Sequence, residues 1–385
     1  DITQGRLDNI IDFDKAKLDI QIKDKAIFLN SVELFAQDVY TLYSQGLIPL
    51  ASPKNQKKLD VVIKTQNANL EIINKLVEGI LIKPKGTFDL DLRLTNTLDD
   101  PKYKGELKIA NGNFGAKDFV KNVRNLNVNL SFKDKIIEIK NCSSNIGRGN
   151  LQVTGNFVMD KFNFKEFTLN FEAISKKGIE LELNSLRIPQ SAILKVLPSS
   201  PSKGDLSGAV KIDFKDNKYA IKGNLELADA NFTYPPKEND ENGKMDFVGL
   251  LKNSDLDLDL KVGNNTWFEN EYVSLVLEGG MRLKTENDIL RMNGDVQILR
   301  GDISFLGTYF KVNHGLLMMI DNEPYIELNA EATIQRKDPS FNRTVDDVIV
   351  LTIERSKLSD MKLRFESRNY PGTKSEEAMG LAFSG

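Results

Sequence analysis

With 385 residues and 52 Lys and Arg interspersed among 55 Asp and Glu, the chain has no basic stripe for nucleic acid and is long enough for two or three ordinary domains or one long repetitive sheet. Its one cysteine, Cys142, excludes an internal disulfide framework and reads as a structural thiol, while one histidine, His314, is too few for a zinc site of several His and Cys and leaves a single candidate base for any His-dependent triad. No apolar run approaches the ~20 residues that span a bilayer; the longest, Leu316 to Ile320, is the length of a strand.

In chain order, the first residues, Ile2 to Asp8, already follow an amphipathic pattern, with neither an initiator Met nor a signal sequence. They read as part of a longer protein whose anchor or export signal lies outside this chain. Val32 to Leu47 mixes helix-like apolar spacing with Val39-Tyr40-Thr41 and reads as helix or irregular. Asn69 to Ile80 places Ile73, Leu76, Val77 and Ile80 on one stripe behind an Asn69 N-cap, which predicts a short helix. Strict alternation follows. Phe88, Leu90, Leu92 and Leu94 alternate with Thr87, Asp89, Asp91 and Arg93, and Leu126, Val128, Leu130 and Phe132 alternate with Asn125, Asn127, Asn129 and Ser131. A turn is predicted at Lys133 to Lys135, and turns or bulges at Gly147-Arg148-Gly149 and Gly279-Gly280. The same rhythm recurs over Phe167 to Phe171 and Ile179 to Leu183, ahead of a second short helix over Ser191 to Leu197. Beyond the Asp216-Asn217 turn, Leu256, Leu258 and Leu260 alternate with Asp255, Asp257 and Asp259, with further turns expected at Gly263 to Asn265 and around His314. Ile326 to Ala330 is the last clear strand, and Thr373 with Glu376 forms a capping-box pattern before Ala378, Met379 and Ala382.

One-sided alternation belongs to antiparallel sheets with one wet face, so the chain reads as all-β and mostly antiparallel. Gly105-Glu-Leu-Lys-Ile-Ala-Asn-Gly-Asn-Phe114 returns as Gly223-Asn-Leu-Glu-Leu-Ala-Asp-Ala-Asn-Phe232, and the same offset aligns Lys85-Gly86 with Lys203-Gly204 and the first short helix with the second. A repeat favours an elongated, stacked architecture over a globule with one central site. Four segments follow: residues 1–65 as N-terminal strands of the continuing sheet, 66–185 and 186–293 as repeat units, and 294–385 as a C-terminal domain.

Chemistry-bearing motifs are sparse. Asp255, Asp257 and Asp259 share a strand face and read as a solubilising stripe, since calcium ligands often come from a tight glycine-containing loop. No local pattern nominates a glycosidase pair, and neither glycine pair sits at a strand-to-helix junction that would cradle phosphate. No catalytic residue, metal or cofactor is expected.

The repeated strand, the segment Asn145 to Phe157, and above all Asn293 to Phe305, Gly315-Leu316, Asn322-Glu-Pro324, Ile326 to Ala332, Phe365 to Pro371 and the Ser375-Glu-Glu-Ala378 helix resemble the AsmA-like superfamily, and within it the TamB family most closely. The resemblance implies a long sheet folded over into a β-taco with an apolar groove, in the periplasm of a diderm bacterium, with the full-length protein anchored in the inner membrane. It also implies phospholipid transfer between inner and outer membranes, the acyl chains being the ligand, and an outer-membrane barrel partner of the BamA/TamA type at the C-terminal end. The alternative is a scaffold of a translocation and assembly module that inserts barrel proteins or autotransporters. Phe88, Leu90, Leu92, Leu94, Leu126, Val128, Leu130, Phe132, Leu256, Leu258, Leu260, Ile326 and Leu328 are the candidate groove lining. About 25 strands at ~4.8 Å would give a groove of roughly 120 Å. A charge at Leu258 is expected to block transport, and Asp257→Asn to leave it intact.

Overall fold

The structure is a computed structural model that describes residues 2–7, 11–50, 57–72, 81–116, 120–174, 178–182, 203–233, 254–269, 272–287, 289–305, 307–337 and 343–384. Among these residues the chain is almost entirely strand, as the alternation predicts, with 21 strands and a C-terminal helix, α1 (Ser375–Ser384). Two compact units are present, Asp1–Glu180 with Ala209–Ile221, and Leu181–Gly208 with Lys222–Gly385.

The first unit holds β1 (Ile2–Leu7), β2 (Ile11–Lys23), β3 (Ala26–Ala36), β4 (Tyr40–Pro49), β5 (Leu59–Asn69), β6 (Leu81–Asn96), β7 (Pro101–Ala116), β8 (Val120–Asp134), β9 (Ile136–Ile146), β10 (Gly149–Asp160) and β11 (Asn163–Ala173). Each pairs antiparallel with the next, giving an open meander. Residues of β12 (Ile179–Glu182), β13 (Lys203–Lys215) and β14 (Lys218–Thr233) contribute to both units, and β13 pairs with β11. The second unit continues with β15 (Ser254–Glu269), β16 (Val273–Glu286), β17 (Ile289–Phe305), β18 (Thr308–Ile320), β19 (Glu323–Lys337), β20 (Thr344–Lys357) and β21 (Arg364–Ser367), again an antiparallel meander. One junction departs from that rule. Lys261 bonds Glu226 at 3.0 Å, Asn265 bonds Asp229 at 2.9 Å and Asn231 bonds Glu269 at 2.6 Å, so position advances in the same sense along β14 and β15, as it does in parallel neighbours.

Tight hairpins follow from local chemistry. Asp24-Lys25, Asp216-Asn217 and Asp321-Asn322 have positive φ at both positions, the geometry of a type I′ turn, whose twist matches that of the flanking strands. Asp134 and Gly147 likewise turn the chain where Lys133 to Lys135 and Gly147 to Gly149 predicted it.

Several expectations are corrected. Val32 to Leu47 is neither helical nor irregular but belongs to β3 and β4, because Val32, Leu34 and Leu42 share one apolar face once the chain reverses at Asp38, whose φ is 59°. Gly263 to Asn265 is a bulge inside β15, Gly279-Gly280 is paired on both sides within β16 and only borders that bulge, and His314 is an exposed strand residue of β18 beside a register shift rather than a turn residue. Thr373 donates to the Tyr370 carbonyl, closing a turn ahead of α1. Asn69 does accept from the Glu71 amide at 2.9 Å, but the remainder of the helix expected to Ile80, and the whole of Ser191 to Leu197, lie outside the described residues.

The sequence repeat has a structural meaning. Asn111 and Asp229, 118 positions apart, both hold positive φ, at 53° and 46°. Asn111 sits in a register break between β7 and β8. A Cβ on Gly86 would meet Gly112 at 2.9 Å, and one on Gly204 would meet the Ala230 methyl at 2.8 Å, so each copy packs a glycine of one strand against the bulge of the next. The recurring Ala-x-x-Asn-Phe word is thus the imprint of a bulged hairpin, β6–β7 in one copy and β13–β14 in the other.

Candidate functional site

Strand register decides which apolar side chains become neighbours. Leu90 of β6 faces Thr65 of β5 and Leu107 of β7; Leu107 in turn faces Leu130 of β8, which faces Ile139 of β9. A second row runs from Leu92 through Gly105 to Phe132, then to Ile137, Phe157 and Phe167. Phe88 pairs with Ile109 and Ile109 with Val128, while Leu94 pairs with Tyr103 and Leu126 with Gly112. All eight candidates from Phe88 to Phe132 therefore share one apolar face of adjacent strands. They are half-buried, with exposed Thr87, Asp89, Asp91 and Arg93 alternating between those of β6. The second row ends in aromatics: Phe167 stacks on Phe214 at 5.2 Å, and Phe214 meets Tyr219 at 4.8 Å.

In the second unit Leu258 pairs with Leu283 and Leu260 with Met281, while Leu256 donates its amide to Thr285 Oγ1 at 3.1 Å. Leu260 is half-buried, whereas Leu256 and Leu258 are buried. Ile326 pairs with Leu317 and is half-buried; Leu328, paired with Ile353, is buried in a core with Phe310, Ala330, Ile349, Leu351 and Phe365. Ala378 and Ala382 of α1 are buried in that same core. The thirteen candidates thus include half-buried side chains on an apolar face and side chains sealed beneath other elements.

Periodicity in single strands missed the partners that complete each row, such as Leu107, Ile137 and Phe157, because pairing is set by register rather than by any one strand's pattern. It also missed a polar clamp. Asp347 is fully buried on the apolar side of β20, accepts one hydrogen bond from Ser367 Oγ shared between its two carboxylate oxygens at 2.9 and 2.7 Å, and lies 3.4 Å from Arg336, whose guanidinium stacks 4.2 Å from the Tyr370 ring centre. Tyr370 belongs to the Asn-Tyr-Pro word, which therefore fastens the chain that leads into α1.

The opposite face is a lattice of cross-strand ion pairs. Arg93 grips Asp60 through two bonds at 2.8 and 2.7 Å, and that guanidinium holds the Asp60 carboxyl below its ordinary range. Lys64 meets Asp91 at 2.7 Å, and Arg282 bonds Asp257 at 2.8 Å while lying 3.8 Å from Asp259. Asp257, opposite Lys284 in register, is therefore a diagonal partner of Arg282 rather than an idle surface group. A shallow depression of about 530 Å³ over Gly280 has Asp259, Lys261 and Arg282 on its wall, but those charges are already paired. Among the described residues no three His, Cys, Asp or Glu side chains gather to hold a metal, and burial pushes the Cys142 thiol up, away from nucleophilic use.

The sequence model of the TamB C-terminal domain matches residues 140–384, which run from β9 through α1. The chain belongs to the TamB family. Comparison with curated proteins adds no relative. Family membership gives a role in outer-membrane protein assembly or lipid transport and a place in the cell envelope. Among the described residues no helix is long and apolar enough to cross a membrane.

Proposed function

We propose that this TamB-family chain is a non-enzymatic conduit in the periplasm that carries phospholipid between inner and outer membranes by seating acyl chains on its apolar strand face. One observation carries the reading: Leu90, Leu107 and Leu130, with Leu92, Phe132 and Phe157 of the second row, form an apolar surface over consecutive strands that is half-buried, its far end resting on the buried Tyr103, Ile137 and Met159. Apolar area left in water forgoes ~25 cal/mol per Å², so a face this extensive is favourable when hydrocarbon covers it. Its strands of 15 and 16 residues are long enough to bracket an acyl chain, since one leaflet of hydrocarbon is only ~15 Å thick and a strand rises ~3.3 Å per residue. Acyl chains have no directional groups, so binding requires no catalytic or metal centre, and the charged face keeps such a carrier in solution. In the full-length protein an inner-membrane anchor would supply one end, and a barrel protein of the BamA/TamA type would receive the other.

The test is native mass spectrometry with lipid extraction on protein purified without detergent. Phospholipid should co-purify with the native chain and be lost from Leu90→Asp and Leu130→Asp variants that retain strand circular dichroism. A stable, lipid-free native chain that instead cross-links to a barrel protein through its C-terminal third would replace the conduit with an assembly scaffold.

A further inference from the structure

The apolar face of β19 to β21 is covered from within the chain. Ala378 and Ala382 of α1 are 0% and 1% exposed against a core that includes Phe310, Leu351 and Phe365. The cover is a short helix of ten residues, too short to be stable by itself in water, so its persistence depends on this contact. Its two fully buried residues are alanines, which bury little apolar area each, with Leu381 half-buried beside them. Direct polar attachment is also slight: the Phe365 amide donates to Ser375 Oγ at 2.9 Å, and Thr308 Oγ1 donates to the Ala382 carbonyl near the helix's last turn. The chain enters it after Gly372, which has φ 105° and open space around it, just beyond Tyr370, the residue clamped by Arg336. A weakly held element lies downstream of a firmly held one, with a hinge-competent residue between them.

From this geometry we infer that α1 is a displaceable lid that stands in for hydrocarbon on the β19–β21 face and lifts when an acyl chain takes its place. The inference rests on the conduit reading and adds a gate to it. Helix and acyl chain compete for one surface, so ligand binding shifts the lid from closed to open by mass action. The Arg336–Asp347–Tyr370 clamp keeps the displaced helix tethered beside its seat.

Thiol labelling tests this in a Cys142→Ser background. Ala378→Cys places a thiol under the lid and Met379→Cys one on its exposed side, and monomeric lysophospholipid below its micelle threshold serves as the acyl probe. Labelling of Ala378→Cys by a maleimide should accelerate about tenfold and saturably as probe is added, because opening exposes a protected site, while Met379→Cys labelling stays constant. Thr308→Val, which removes one of the lid's bonds, should raise the probe-free Ala378→Cys rate a few-fold. Bound lipid is measured in the same samples. Lipid bound with an unchanged Ala378→Cys rate overturns the lid and leaves the conduit standing; no lipid bound, even with the chain truncated after Gly372, overturns both.

Discussion

Two stretches of apolar strand face contrast sharply. Over β6 to β8 the side chains of Leu90, Leu107 and Leu130 are half-buried, and of the three Leu130 packs against the small buried cluster of Tyr103, Ile137 and Met159. Over β18 to β21 Phe310, Leu328, Leu351 and Phe365 are sealed, between 0% and 4% exposed, and α1 contributes Ala378 and Ala382 to their core. Both faces come from the same period-2 pattern. What differs is whether the chain supplies a cover: the middle face is open to a ligand as it stands, and the C-terminal face only where α1 lifts.

The contrast can be broken by substitution. Phe365→Ala should have the largest effect, a loss of about 3–5 kcal/mol in urea unfolding, since it empties the middle of a sealed core. A loss below about 1 kcal/mol would mean that the C-terminal face is not a true core. Gly105→Ala should come next, at about 1–3 kcal/mol, because φ is 148° there and a Cβ would sit 1.9 Å from the Asp91 carbonyl oxygen. Gly112→Ala is its control: the position aligned with it in the second repeat already carries Ala230, and a new methyl would meet the Leu126 Cβ at 3.0 Å and the Leu70 Cδ1 at 3.1 Å, contacts that a shift of a few tenths of an ångström relieves, so it should cost less than Gly105→Ala, about 1 kcal/mol. Leu90→Ala should cost only about 1 kcal/mol, as a half-buried leucine loses about half the transfer energy of a buried one. A cost as large as that of Phe365→Ala would show that the middle face is sealed in solution and would remove the basis for ligand binding there.

Leu258→Asp, attractive from the strand pattern, is a poorer probe than Leu90→Asp. Leu258 is buried, so a charge there threatens folding as well as binding, and Asp257→Asn would loosen the bond to Arg282.

The smallest expected effect concerns pH. Arg93 lowers the folded-state pKa of Asp60 below 3.8, so the pair's contribution is present above the unfolded carboxylate value and is lost as pH falls through the folded one. Arg93→Gln should therefore lower the thermal midpoint slightly at neutral pH, and the difference from the native chain should vanish in acid. Both groups are substantially exposed, so screening by salt should shrink it further.

Much of this was legible in the sequence, for physical reasons that particular residues make plain. Leucines two apart on β6 and β8 can only share a face, so the apolar sides of those strands followed from spacing alone. Asp216-Asn217 favours positive φ, so the turn there was readable too. Asn265 misled because an αL asparagine serves a bulge as readily as a turn, and only its neighbours on β16 decide which. Val32 to Leu47 misled because a helix and two strands joined by a turn can leave similar apolar spacing over so few residues.

The amino-acid order by itself determined an all-β, one-sided, repetitive chain with a TamB-type resemblance, because alternation, turn residues and composition are local properties. Tertiary structure alone decided which rows of side chains meet across strands, that β14 and β15 run in the same sense, and that α1 closes one face while another stays half-open. Those outcomes depend on register and on contacts between residues far apart in the chain, such as Thr308 with Ala382, and no local pattern encodes them.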